Sequence, residues 1–337
     1  MRLVFIGAIN QGNLPKGGEE YKNQILINKI SVPFNDAKII DTYQWTKSPK
    51  VWWNLFLNVF IKRVDNVIIS ASSVSTYRLL NLMRWVKPSL LRKTTYLVIG
   101  GYFPEGIRLK RFDWRYYKNL KNVVVEGDLL RKSVLANSGL SNVKVVPNFK
   151  SFPNLLIQSN EKLENNFRFV FVGRISKGKG VSEILEAAEI LNKTNKEFEV
   201  DFYGPIEENF GLETNNSKYS GFLDFQKDPE KAYSKLSEYD CMLFPTYWKG
   251  EGFPGVIIDA FVAGLPVIAT DWNMNTEIIE DGVNGFIIEP KSSKALAEKM
   301  DYVMRNREEL VKISENNLAR AKDYHIDKIW PQILELL

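Results

Sequence analysis

Arg168-Phe169-Val170-Phe171-Val172-Gly173-Arg174-Ile175-Ser176-Lys177-Gly178-Lys179-Gly180-Val181 is the stretch on which the fold turns. Arg168–Gly173 reads as a buried strand, and Val181–Asn192 carries helical periodicity. The turn between them holds Gly173, Gly178 and Gly180 beside Arg174 and Lys179. Glycines let a backbone approach a ligand closely, and a helix N-terminus offers free N–H groups and a positive dipole end. Such a turn suits a diphosphate; read alone, it also fits a solvated basic turn.

Outward from it, strand and helix patterns alternate along the whole chain. Strands are expected at Leu3–Ile9, Lys38–Thr42, Asn66–Ala71, Thr95–Ile99, Asn122–Glu126 and Val143–Pro147. A second set is expected at Arg168–Gly173, Glu199–Tyr203, Cys241–Pro245, Leu265–Ala269 and Gly285–Ile288. Helices are expected between them, among others at Trp52–Lys62, Thr76–Val86, Leu129–Ser138, Glu230–Glu238, Gly255–Ala263 and Ser292–Arg305. This order predicts an α/β fold of two doubly wound, Rossmann-like domains with parallel sheets. The polar stretch around 151–166 is the expected linker. Ligands of such sheets sit beyond the C-terminal strand ends.

After the strand ending at Pro245 comes Thr246-Tyr247-Trp248-Lys249-Gly250-Glu251-Gly252-Phe253-Pro254-Gly255-Val256-Ile257-Ile258-Asp259. Pro254 fits a helix start, where no amide donor is needed. Glu251 falls in the loop and Asp259 one turn inside the helix, both expected at the cleft end of the sheet. A carboxylate accepts two hydroxyl hydrogen bonds, which fits the vicinal diol of a ribose or hexose; Asp259 alternatively is only a helix charge.

These loops together resemble the GT-B glycosyltransferases of family 4, the retaining "group 1" family. The resemblance covers residues 168–290. It rests on Gly173-Arg174 with Lys179-Gly180, Tyr203-Gly204-Pro205, Tyr219-Ser220-Gly221-Phe222, Glu251-Gly252-Phe253-Pro254, Ala263-Gly264-Leu265-Pro266 and Asp281-Gly282-Val283-Asn284-Gly285-Phe286. The first half resembles the family mainly in layout and in Lys16-Gly17-Gly18. The resemblance implies two Rossmann-like domains facing across a cleft. Residues 1–150 would form the acceptor- and membrane-facing domain and 167–325 the nucleotide-sugar domain, with a helix at 326–337 packing back on the first. It implies that Arg174 and Lys179 neutralise the leaving nucleoside diphosphate and that Glu251 binds hydroxyls of the transferred sugar. Gly173 and Gly204 would line the donor site, and the amides of Gly252, Phe253 and Gly255 would face sugar and phosphate. Asp259, where the family has Glu, would hold the ribose. Gly17 and Gly18 would close over the diphosphate, and Phe222 would lie near the base. The histidine that many members carry near the acceptor is missing; the strand end reads Ser70-Ala71-Ser72-Ser73.

Composition narrows the chemistry. The 337 residues suggest about two domains. One cysteine, Cys241, excludes an intrachain disulfide, and one histidine, His325, excludes His-rich metal sites. Cys241 reads as an inert core thiol and His325 as a surface or packing residue. No Asp-x-Asp occurs, which argues against a metal-bridged diphosphate. No metal and no cofactor are expected; the donor is expected to be a UDP- or GDP-sugar. No apolar run reaches the ~18 residues of a membrane span, and the expected address is cytoplasmic.

Charge is split between the halves. Residues 1–150 carry 24 Lys and Arg against 9 Asp and Glu; the remainder carries 21 against 31. A basic half expects phosphate or anionic lipid. Three basic, aromatic-rich stretches lie there: Val51–Arg63, Leu79–Lys93 and Arg108–Lys121. Trp and Tyr beside cations suit a headgroup interface, although the first stretch also fits a helix buried on the sheet and the third a solvated basic face. The expected enzyme is a retaining, metal-independent hexosyltransferase. It would act on a lipid-linked oligosaccharide acceptor in surface-polysaccharide assembly, attached peripherally to the inner face of the cell membrane. A sugar-nucleotide epimerase of the same fold and an inactive partner subunit are the alternatives; nucleic acid is not an expected partner.

Overall fold

The computed structural model describes residues 2–10, 17–43, 45, 48–153, 166–193 and 197–337. The chain divides into two compact units, Met1–Lys150 with Ile326–Leu337, and Ser151–His325. Lys16 and most of the expected linker, 154–165, lie outside the described residues.

In the first unit the strands are β1 (Leu3–Gly7), β2 (Lys38–Asp41), β3 (Asn66–Ala71), β4 (Thr94–Val98), β5 (Asn122–Val125) and β6 (Val143–Val145). They form one parallel sheet in the order β2-β1-β3-β4-β5-β6. Every residue of β1, β3, β4 and β5 is buried, because helices cover both faces of a parallel sheet. The helices are α1 (Gly18–Ile30), α2 (Pro49–Leu55), α3 (Ser73–Val86), α4 (Tyr102–Arg108) and α5 (Asp128–Ala136). The single helix expected over Trp52–Lys62 is instead α2 followed by a π-helical stretch, Phe56–Ile61. The sequence pattern does not announce α1, because its inner face is partly polar. Asn23 is buried there and donates to Ala8 O and Ser70 O at 2.8 and 2.9 Å, so the apolar periodicity is broken.

In the second unit β7 (Phe167–Val172), β8 (Phe198–Tyr203), β9 (Ser217–Tyr219), β10 (Cys241–Phe244), β11 (Val267–Thr270) and β12 (Gly285–Ile288) form a second parallel sheet. Its order is β12-β11-β10-β7-β8-β9. Helices α6 (Val181–Asn192), α7 (Pro229–Leu236), α8 (Gly255–Val262), α9 (Asn275–Ile278), α10 (Ser293–Arg305) and α11 (Arg307–Ala321) complete it. Phe167, Phe169, Phe171, Phe198 and Phe202 fill its core together with Leu296 and Met300 of α10. Cys241 is buried in this sheet and burial pushes its thiol up, as befits an inert group.

The last helix, α12 (Ile326–Glu335), belongs to the first unit. Its Ile326, Ile329 and Ile333 enter the core of Leu3, Phe5, Leu26 and Ile68. Full burial of each stabilises by roughly 1.5–3 kcal/mol. Ile326 N donates to Lys150 O at 2.8 Å, and Leu336 O accepts from Thr95 Oγ1 and Asn122 Nδ2, both at 3.1 Å.

Candidate functional site

The order of the second sheet reverses between β7 and β10: the chain builds β7-β8-β9 on one side and β10-β11-β12 on the other. Loops leaving two strands at such a point diverge and open a crevice at their C-terminal ends. The two loops singled out by sequence are the ones that leave β7 and β10.

After β7 the backbone passes Gly173 at φ 156° and pairs with β8 through Gly173 N and Tyr203 O, 2.9 Å apart. Gly204 follows β8 at φ 132°, and a Cβ there would lie 2.0 Å from Gly173 O. Two glycine backbones thus touch where side chains could not fit. A short 3₁₀ turn, Lys177–Lys179, leads to Gly180 in the left-handed region at φ 81°, and α6 begins. A Cβ on Gly180 would meet Pro245 O at 2.3 Å, so the first loop lies against the end of β10. Tyr247 N donates to Gly178 O at 2.9 Å and holds the loops together.

Lys179 and Glu251, separated by 72 residues, form an ion pair in this crevice. Their side chains are only 11% and 12% exposed. Thr246 Oγ1 donates to the same oxygen, Glu251 Oε2, at 3.0 Å, and the Lys179 ammonium lies 5.6 Å from the centroid of the Phe244 ring. The Glu251 loop is fastened from β11: Trp272 Nε1 donates to Trp248 O, and Asn273 Nδ2 to Glu251 O, both at 2.9 Å. Thr246, Trp272 and Asn273 were not singled out in the sequence. Their signal was available, since all follow strand ends, but none carries a charge.

Arg174 stands apart from that pair. Its guanidinium lies 3.3 Å from Glu207 Oε1 and stacks 5.2 Å over the Trp248 ring. Glu183 stands in the first turn of α6, where burial pushes its carboxyl up; burial, with the Glu183 charge nearby, drives the Tyr247 hydroxyl up to about 12.

The two carboxylates expected together at the crevice are not equivalent. Asp259 is 2% exposed within α8 and accepts from Tyr233 Oη of α7 at 2.9 Å. Sequence spacing placed it correctly on the helix but could not show that α7 covers it. Gly252 and Phe253 are buried, and the Phe253 ring packs 5.3 Å from Tyr324; Gly255 opens α8. Phe222 is 68% exposed after β9. Gly17 and Gly18 are exposed at the start of α1 in the first unit, with open space where side chains would project. His325 packs edge-on against Phe152 and lies outside the crevice residues. Among the described residues no three Asp, Glu, His or Cys cluster as metal ligands, and no helix is long and apolar enough to cross a membrane.

Residues 154–320 match the family described as Glycosyl transferases group 1. The capsular polysaccharide biosynthesis glycosyltransferase CapM of Staphylococcus aureus is 28% identical over 229 residues, 64% of this chain and 58% of CapM. The O-antigen chain mannosyltransferase C of Escherichia coli is 27% identical over 166 residues, 48% of this chain and 43% of that protein. The matched stretch therefore spans about half the length of these curated relatives. Among solved structures, Anabaena HepE in complex with UDP superposes with a TM-score of 0.74 at 18% identity, covering 99% of both chains. That likeness carries the fold, which is GT-B: two units, each a parallel six-stranded sheet with helices.

Proposed function

We propose that this chain, which belongs to the glycosyl transferases group 1, transfers a hexose from a nucleotide-diphosphate sugar to a lipid-linked oligosaccharide during assembly of a surface polysaccharide. The observation that carries the reading is the Lys179–Glu251–Thr246 cluster at the β7/β10 reversal, flanked by the start of α6. The names of CapM and the O-antigen mannosyltransferase support the polysaccharide setting, and the UDP in HepE supports a nucleotide donor.

The chemistry follows from the charges. A diphosphate entering the crevice competes with Glu251 for the Lys179 ammonium, and the released carboxylate is free to accept hydroxyl protons of the sugar. As the glycosidic bond breaks, negative charge grows on the leaving diphosphate, where Lys179 and the amides around Gly180 stabilise it most. Arg174 adds a second cation on exchanging Glu207 for phosphate. Asp259, held by Tyr233, is assigned to the ribose; Phe222 to the base; Gly173, Gly204, Gly252, Phe253 and Gly255 to the donor. A donor phosphate oxygen takes the acceptor proton on the face from which the leaving group departs, giving retention without a histidine base. No metal or cofactor is needed, because protein cations meet the diphosphate. The enzyme works in the cytoplasm at the inner face of the cell membrane.

The test is transfer of labelled sugar from UDP- and GDP-sugars to lipid-extracted acceptors, with and without excess EDTA, followed by NMR of the anomeric configuration. Acceptor-dependent, EDTA-resistant product with the donor's configuration is expected. An epimerised nucleotide sugar formed without acceptor, or activity restored only by Mg²⁺ or Mn²⁺, contradicts the reading.

A further inference from the structure

In the first unit, large apolar side chains stand exposed on two elements whose ends are tied together. Trp53 is 64% exposed, Ile61 60% and Trp85 83%, with Phe56 and Val86 also exposed. Trp53, Phe56 and Phe60 follow each other along α2 and the π-helical segment, with ring centroids 6.4 and 6.0 Å apart. Lys87, capping α3 directly after Trp85 and Val86, donates through Nζ to Phe60 O at 2.9 Å and Lys62 O at 3.3 Å. The end of α3 is thereby tied to the end of the π-helical segment.

The opposite side of the segment is anchored. Leu55 and Val59 are buried, Phe60 closes the ring row against the core, the partly exposed Trp52 stacks on the buried Trp45 at 4.7 Å, and Asn58 accepts from Arg2 at 2.9 Å. The change from α to π winding starts at Phe56, among these residues. A rigid base thus presents large apolar side chains to solvent, an arrangement that soluble surfaces seldom keep without a use. Exposed cations lie on the same two elements and the turns that follow them: Lys50, Lys62, Arg63, Arg84 and Arg92, with Arg63 also 3.5 Å from Asp65 and Arg84 4.7 Å over the Tyr116 ring.

The stretch Arg108–Lys121, also rich in both residue classes, differs. Phe112 and Tyr117 are buried there, Arg115 is held by Asp113 at 2.7 Å, and Arg111 is hydrogen-bonded to Tyr102. It offers cations with few apolar side chains to insert.

We propose that the Trp53–Phe56–Ile61 face, with Trp85 beside it, is the surface by which this protein docks on an anionic lipid bilayer. Aromatic and branched side chains enter the headgroup–acyl boundary while the surrounding Lys and Arg meet lipid phosphates. This assignment deepens the reading of a lipid-linked acceptor and rests on it, but its test involves neither donor nor acceptor.

The experiment is co-sedimentation of the full chain with vesicles of phosphatidylcholine alone or mixed with phosphatidylglycerol. The variant is Trp53→Ser, Phe56→Ser and Trp85→Ser combined; all three positions are exposed, and an unchanged melting curve confirms its fold. The wild type is expected to bind the mixed vesicles, to bind neutral ones poorly and to be released by high salt. The variant is expected to lose about tenfold or more in partitioning. Equal binding by the variant overturns the assignment, leaving cations elsewhere responsible. Wild-type protein that ignores both vesicles also overturns it. So does a wild type that self-associates through this face and becomes monomeric in the variant without having bound lipid. A sugar-transfer assay on the same preparation is read separately, so failure of docking is distinguishable from failure of the proposed activity.

Discussion

Lys179, on the turn after β7, and Glu251, on the loop after β10, meet as an ion pair that spans the strand-order reversal of the second sheet. Both are largely sheltered from water, so each is the other's main counter-charge, with Thr246 adding a neutral donor to Glu251. Removing one partner strands the other. Lys179→Ala is expected to lower turnover by about 3–4 kcal/mol of barrier, through the leaving diphosphate. Glu251→Ala is expected to lower it comparably through the sugar hydroxyls. Because the two residues touch, the double variant should lose clearly less than the sum. Additive losses in a double-mutant cycle on kcat/KM would show that the pair has no joint role.

Gly204 supplies a backbone test. Its φ is 132°, and an added Cβ would stand 2.0 Å from Gly173 O, which leaves no room for alanine. Gly204→Ala is expected to destabilise the second unit by at least about 1–3 kcal/mol. Gly211→Ala, with nothing within 4 Å, is the control and should be near neutral. Chemical denaturation followed by fluorescence decides; equal midpoints for both variants contradict the proposed loop geometry.

Glu19, at the start of α1, supplies a pH test. Burial pushes its carboxyl up to about 7 from the ordinary 4.5, against the Ser72 backbone N–H, which pulls it down. The folded protein therefore holds this proton more tightly than the unfolded chain. Stability falls as pH rises between the two values and stays reduced above them, by at most about 3 kcal/mol. Glu19→Gln removes the penalty. The variant should match the wild type at about pH 4 and exceed its melting temperature at about pH 8. A variant no more stable at the higher pH contradicts the assignment.

How much of this was legible beforehand depends on the kind of residue involved. The strands could be read because both faces of each sheet are covered, so β1 and β10 appear as apolar runs and β3 as an apolar run interrupted by Asn66 and Ser70 alone. α1 could not, since Asn23 buries an amide where periodicity asks for an apolar side chain. β9 spans only Ser217–Tyr219, and α11 follows α10 after Asn306 alone, so neither has a boundary that composition announces. In the site, glycines and charges at strand ends located Lys179 and Glu251, whereas their direct pairing is a long-range contact that no local pattern encodes. The same limit applies to Asp259, whose Tyr233 partner comes from another helix. In the basic half, composition marked three aromatic stretches alike; only packing separates exposed Trp53 and Trp85 from buried Phe112 and Tyr117.

The central claim is that the second unit binds a nucleotide-diphosphate sugar through Lys179. The most direct measurement is thermal stabilisation of wild type and Lys179→Ala by a panel of UDP-, GDP- and ADP-sugars. A ligand at 100 times its Kd adds about 2.7 kcal/mol, enough for a clear rise in Tm. The account predicts that at least one sugar nucleotide stabilises the wild type, that its free nucleoside diphosphate does so too, and that Lys179→Ala abolishes both shifts. A wild type that none of these ligands stabilises, or a Lys179→Ala variant stabilised as strongly as the wild type, would contradict it.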